Sequence, residues 1–92
     1  MKNIRVHLIV EGRVQGVWFR ESTRITATEL DVKGWVRNRS DGSVEIIAEG
    51  QEENIMKFIE WCHDGPPHAV VIKVTQTPRE YRNEFNSFTI VF

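Results

Sequence analysis

The 92-residue chain has one cysteine, so it cannot form an internal disulfide, and a reducing, cytoplasmic setting is the expectation. It has only two leucines, against eleven valines and nine isoleucines. β-Branched residues favour pleated sheet over helix, so the composition leans toward strands. No apolar run approaches the ~20 residues that a membrane span needs. No repeat, linker or low-complexity stretch is present. An excess of either charge is also missing: twelve Lys and Arg face thirteen Asp and Glu, for a net charge of −1. Domains whose main work is binding nucleic acid are usually strongly basic, so neither nucleic acid nor a membrane is an expected partner. The opening Met1-Lys2-Asn3-Ile4-Arg5 runs straight into alternating sequence, and no signal peptide is expected. At 10.7 kDa the chain is expected to form a single domain over residues 1–92, acting as a monomer.

Residues 4–10 alternate, with Ile4, Val6, Leu8 and Val10 on one face and Arg5 and His7 on the other. This pattern predicts a half-buried strand. From Phe19 the period changes. Phe19, Thr23, Ala27 and Leu30 form one stripe of a helix. Strands are expected over 32–37 and 44–48. Asp41-Gly42 between them is a hairpin signal. Ile55, Phe58, Ile59 and Cys62 mark a second amphipathic helix, with Glu52 and Glu53 in its first turn and Gly65-Pro66-Pro67 ending it. A fourth strand over 69–75, a polar excursion over 78–86 and a short closing strand over 88–92 complete the chain. The order β-α-β-β-α-β plus a fifth strand is the α+β, ferredoxin-like arrangement, an antiparallel sheet with two helices on one face. That architecture alone assigns no function.

The informative stretch is Gly12 to Arg20. A glycine-bearing loop runs directly into a helix N-terminus. Gly12 and Gly16 permit positive φ, and the intervening amides can converge into a concave nest. The helix start adds unpaired N–H groups and partial positive charge. Arg20 places a permanently charged five-donor fork at the same point. Together these describe an oxyanion cradle. It is not a nucleotide P-loop, because Val17-Trp18 follows Gly16 where Lys-Ser/Thr would be needed. Residues 13–39 hold six basic and three acidic side chains, a local charge of +3, which leaves −4 on the remainder. An anionic ligand fits that asymmetry. The plainer alternative is a βα turn that needs two glycines, with Arg20 solvated.

Gly12-Arg13-Val14-Gln15-Gly16-Val17-Trp18-Phe19-Arg20 resembles the first signature of the acylphosphatase family, and the stretch from Gly34-Trp35-Val36-Arg37-Asn38 through Asp41-Gly42-Ser43-Val44-Glu45 resembles the second. Gly65-Pro66-Pro67 and the Phe88-Thr89-Ile90 ending match the family's usual layout, so the resemblance covers nearly the whole chain. It implies hydrolysis of acyl phosphates to a carboxylate and inorganic phosphate, with no metal and no cofactor. The family's phosphate-binding arginine falls on Arg20, and its water-orienting asparagine on Asn38. Its cradle is the backbone of Gly12, Arg13, Val14, Gln15, Gly16 and Val17. Asp31 departs from the pattern, standing where glycine often closes the first helix. Trp18 departs too, where other residues are frequent and where its bulk would narrow a pocket mouth.

The implied chemistry suits so sparse a site. A carboxylate leaves without a proton, so no strong general acid is required. In-line attack of water on phosphorus then depends on positioning and electrostatics. Asn38 can orient water but cannot act as a base, and neither motif holds a base. A non-catalytic phosphate or carboxylate module is the main alternative. An RNA-binding domain of the same fold is another, but its third strand would need base-stacking aromatics, and Val44-Glu45-Ile46-Ile47-Ala48-Glu49 has none.

Elsewhere the sequence favours plain structural roles. His7, His63 and His68 lack metal-ligand spacing, and Cys62 lies on an apolar helix stripe. Trp35 and Trp61 read as packing groups. Glu45 and Glu49 share strand parity and are expected on a solvated open sheet face.

Overall fold

The computed structural model describes residues 2–92, and Met1 lies outside them. The elements are β1 (Asn3–Arg13), α1 (Phe19–Glu29), β2 (Lys33–Asn38), β3 (Val44–Gln51), α2 (Glu52–Asp64), β4 (Val70–Arg79) and β5 (Phe88–Ile90). They form one five-stranded sheet in the order β4-β1-β3-β2-β5. The first four strands pair antiparallel, which is the ferredoxin-like order. The short fifth strand, β5, joins β2 in parallel at the sheet edge, Trp35 opposite Thr89.

The alternation in β1 and the stripes of both helices become one core. Leu8, Val10, Val36, Val44 and Ile46 from the sheet meet Phe19 and Ala27 of α1 and Ile55, Phe58 and Cys62 of α2. Both helices therefore lie on the same face of the sheet, since the strand residues they meet share one parity. Burial pushes the Cys62 thiol far above its ordinary range, so it behaves as a small apolar group. The end of α1 takes the left-handed turn that glycine commonly supplies, with Asp31 at φ 57°. The Asp31 amide bonds to the Thr28 carbonyl at 3.2 Å, and that of Val32 to Ala27 at 2.8 Å. Aspartate is tolerated there, its carboxylate 2.9 Å from Lys33 Nζ.

Two sequence expectations are corrected. The first strand does not end at Val10. It continues to Arg13 across a bulge between Glu11 and Gly12, so Gly12 opposes Val71 and Arg13 opposes Val70. Gly12 is glycine because β4 passes too close for a side chain: an added Cβ would sit 2.1 Å from the Val70 carbonyl oxygen. The second correction concerns Glu49, which is not solvated but 2% exposed. The irregular segment after β4 crosses the open face and covers it. The backbone amides of Arg82 and Glu84 donate to its carboxylate at 2.8 and 3.2 Å, and Arg5 Nη1 donates at 3.2 Å. Arg5 also bonds Glu84 and lies over the Phe85 ring.

Candidate active site

The loop between β1 and α1 is held by its own side chains. Val14 is buried in the core, and Val17 packs against it. Between them Gly16 takes φ 73°, with no atom within 4 Å of where a Cβ would stand. Gly12 thus serves close packing, while Gly16 serves a left-handed backbone in open space. Trp18 is also left-handed, at φ 65°, and no side chain caps α1. Its carbonyl accepts from the Ser22 amide at 3.0 Å, the first bond of the helix. The amides of Phe19, Arg20 and Glu21 precede that bond and have no intrahelical partner. They give the start of α1 a positive end that can receive an anion.

Gln15 fastens this loop to the β2–β3 hairpin. Its Nε2 donates to the carbonyls of Arg39 and Ser43, both at 2.8 Å. The hairpin is itself closed by Arg39 N to Ser43 O at 2.8 Å. Asp41 steadies it by accepting from the Ser43 amide and hydroxyl at 3.0 and 2.6 Å. The Ser43 hydroxyl and amide hold the Asp41 carboxyl below its ordinary range. Asn38, the last residue of β2, therefore leads into a turn that is bolted to the loop before Arg20.

A cavity of about 410 Å³ lies at this junction, lined by Val14, Gly16, Trp18, Phe19, Arg20, Glu21, Asn38, Ile90 and Phe92. Arg20 and Asn38 are thus brought to one site. Of the expected cradle residues, Val14 and Gly16 line it. Gln15 and Val17 brace the loop from the side. Gly12 and Arg13 lie in the sheet below, Gly12 lining a separate, smaller depression with Glu11 and Asp41. The site residues missed from sequence are Glu21, Ile90 and Phe92, together with the side-chain role of Gln15. The aromatic character of the final strand was the one available signal for Phe92.

The electrostatics single out Arg20. Of the six cations in residues 13–39, Arg24 pairs with Glu21, Lys33 with Asp31, Arg37 with Glu45 and Arg39 with Asp41. Arg13 and Arg20 join no ion pair among the described residues, and of these two only Arg20 lines the cavity. The Arg20 guanidinium instead lies over the Phe92 ring, 5.2 Å from the centroid. Asn38 Oδ1 is buried and accepts no hydrogen bond from the described residues. An uncommitted cation and an uncommitted amide oxygen on one cavity are what a phosphoryl group and a water would engage.

The acylphosphatase family profile matches residues 6–90. The chain belongs to the acylphosphatase family. An acylphosphatase of Pelotomaculum thermopropionicum is 47% identical over 92 residues, covering 100% of both chains. The crystal structure of acylphosphatase from Bacillus subtilis superposes with a TM-score of 0.93 at 38% identity, covering 97% of this chain and 99% of that one. An acylphosphatase structure from Coxiella burnetii gives 0.91 at 40% identity, covering 97% and 93%. As a member of the acylphosphatase family the protein is a hydrolase, and acyl phosphates are its general substrate class.

Proposed function

We propose that Arg20 and Asn38 divide the work of acyl phosphate hydrolysis at this cavity. The observation that carries the proposal is the pairing just described: among the described residues Arg20 has no carboxylate partner, the buried Asn38 Oδ1 accepts no hydrogen bond and no side chain caps the helix start, and both residues line the same cavity. Arg20 holds two phosphoryl oxygens in a bidentate fork, and amides of the Val14–Val17 part of the loop and the first turn of α1 hold the others. Asn38 Oδ1 accepts a hydrogen bond from water and aims the water oxygen at phosphorus. The new P–O bond forms as the bond between phosphorus and the acyl oxygen breaks. The carboxylate leaves with the electron pair of that bond, and the water proton passes to a phosphoryl oxygen of the substrate. The products are a carboxylate and inorganic phosphate. The protein contributes placement and positive charge, which suffice for a loose transition state with a good leaving group. No metal or cofactor enters the scheme. A single-domain monomer in the cytoplasm fits the chain's size and its lone, buried cysteine.

The test is turnover of benzoyl phosphate in the presence of EDTA. Hydrolysis is expected to persist. Arg20→Ala is expected to abolish inhibition by inorganic phosphate. Asn38→Ala is expected to lower kcat by about 10²–10³-fold while phosphate inhibition is largely kept, in line with loss of one placed polar group. Equal loss of phosphate affinity in both variants would reject the division of roles.

A further inference from the structure

The cavity offers far more than a phosphoryl group can use. Its volume of about 410 Å³ is within the range of pockets that take small organic molecules. Arg20, Asn38 and the start of α1 account for its polar side. The rest of the lining is apolar, with Val14 and Ile90 flanked by the rings of Trp18, Phe19 and Phe92.

Two of those rings are not core residues. Phe19 is buried, but Trp18 is 78% exposed and Phe92 is fully so. Trp61, by contrast, rests 5.6 Å from the Phe19 ring and is half-buried, as a packing tryptophan should be. Trp18 also sits in a left-handed conformation that a bulky residue rarely adopts. A glycine would hold that backbone more easily, yet the position carries an indole that lines the cavity with Arg20. The Phe92 ring stands next to the Arg20 guanidinium, with its centroid 5.2 Å away, and so borders the proposed phosphate position. Glu21, the one carboxylate among the described lining residues, is neutralised by Arg24 at 2.6 and 3.0 Å, which leaves Arg20 as the net charge on the cavity.

We propose that Trp18 and Phe92 form the acyl-binding surface, so that the enzyme favours acyl phosphates with a flat aromatic or extended apolar acyl group over acetyl phosphate. This rests on the assignment of the phosphoryl group to Arg20. Phosphate and acyl group are then recognised by different elements, the first by charge and amides, the second by aromatic faces. Trp18 is a specificity residue that touches the substrate and takes no part in the bond changes.

The experiment compares kcat/KM for benzoyl and acetyl phosphate in the wild type, Trp18→Ala, Trp18→Gly and Trp18→Phe, with the inhibition constant of inorganic phosphate measured alongside. Wild type is expected to rank benzoyl above acetyl. Trp18→Ala and Trp18→Gly are expected to lower the benzoyl-to-acetyl ratio by about three- to tenfold, through KM, the size of one lost aromatic contact. Trp18→Phe is expected to retain most of it. The phosphate inhibition constant should move far less than the benzoyl KM, because phosphate has no acyl part. Glycine matching alanine separates the side chain from the backbone strain. Phe92→Ala, at a fully exposed position, repeats the test should a Trp18 variant fold poorly. A ratio unchanged in these variants, with hydrolysis still dependent on Arg20, overturns this proposal alone. A ratio that falls only in step with lost phosphate inhibition overturns it as well, since the loop rather than the ring would be responsible. Hydrolysis that survives Arg20→Ala unchanged overturns both this proposal and the site assignment beneath it.

Discussion

Gln15 Nε2 donates to the Ser43 carbonyl across 2.8 Å, and its second hydrogen goes to the Arg39 carbonyl at the same distance. Both donors of one side-chain amide are consumed in joining the loop before Arg20 to the hairpin after Asn38. The two segments that carry the proposed chemistry are thereby made one body, although 18 positions separate Arg20 from Asn38 in the sequence. A site without a general acid or base depends on placement alone, so this joint has consequences for rate as well as for stability.

Gln15→Ala is expected to lower stability by about 1–2 kcal/mol, the scale of two neutral hydrogen bonds. It should lower kcat/KM by about 10- to 100-fold, because small misplacements of catalytic groups are costly. Gln15→Glu keeps the length but loses both donors, and should fail similarly. Urea melts and benzoyl phosphate kinetics on the same samples check this. A loss of stability with unchanged kcat/KM would leave the joint a structural brace only.

Gly12 and Gly16 make a contrasting pair. At Gly12, φ is +130° and an added Cβ would lie 2.1 Å from the Val70 oxygen. Gly12→Ala is expected to part β1 from β4 and to cost more than about 3 kcal/mol, combining strain with overpacking against rigid backbone. At Gly16 the Cβ would meet nothing within 4 Å, and only the φ of +73° resists it. Gly16→Ala should stay folded at a cost of about 1–2 kcal/mol. Denaturant midpoints distinguish the two; similar losses at both positions would contradict the separate causes assigned to them.

The sequence and the structure agree where a pattern reports burial. Ile4, Val6, Leu8 and Val10 alternate because one face of β1 meets the helices, and Ile55, Phe58, Ile59 and Cys62 recur because one face of α2 meets the sheet. What the pattern could not report is contact between segments distant in the chain. Glu49 has the parity of the open face, and only the later crossing of residues 80–87 buries it. Gly12 reads as a loop glycine, since a bulge has no local signature beyond the glycine itself. Arg20 and Asn38 were legible through the motifs that carry them. The Phe92 ring over Arg20 was not, because nothing in the sequence says what a side chain just past the short closing strand will meet.

Glu49 offers a prediction of its own. Its carboxylate receives one guanidinium and two backbone amides while 2% exposed. Glu49→Ala strands the Arg82 and Glu84 amides and weakens the hold on Arg5, and is expected to cost about 3–5 kcal/mol. Hydrogen exchange should show lost protection at the amides of Arg82 and Glu84 in particular. A small, evenly spread loss would mean that residues 80–87 are held by other contacts.

The acid limb of stability should depend on Glu45. Burial alone would raise its carboxyl, but hydrogen bonds with His7 at 2.7 Å and Arg37 at 2.6 Å, with the Arg37 charge, hold it below its ordinary value of 4.5. A carboxyl depressed in the folded state takes up its proton less readily there than in the unfolded chain. Its contribution is therefore complete above that ordinary value and is lost as pH falls through the folded one. Tm measured between about pH 6 and pH 3 should fall more steeply for wild type than for Glu45→Gln, by up to one proton's worth of slope. Glu21 and Asp41, held low by Arg24 and Ser43, steepen both curves alike and cancel in the difference. Parallel curves would mean that Arg37 and His7 gain nothing from the ionised carboxylate, and that this cluster on the open face packs without electrostatic consequence.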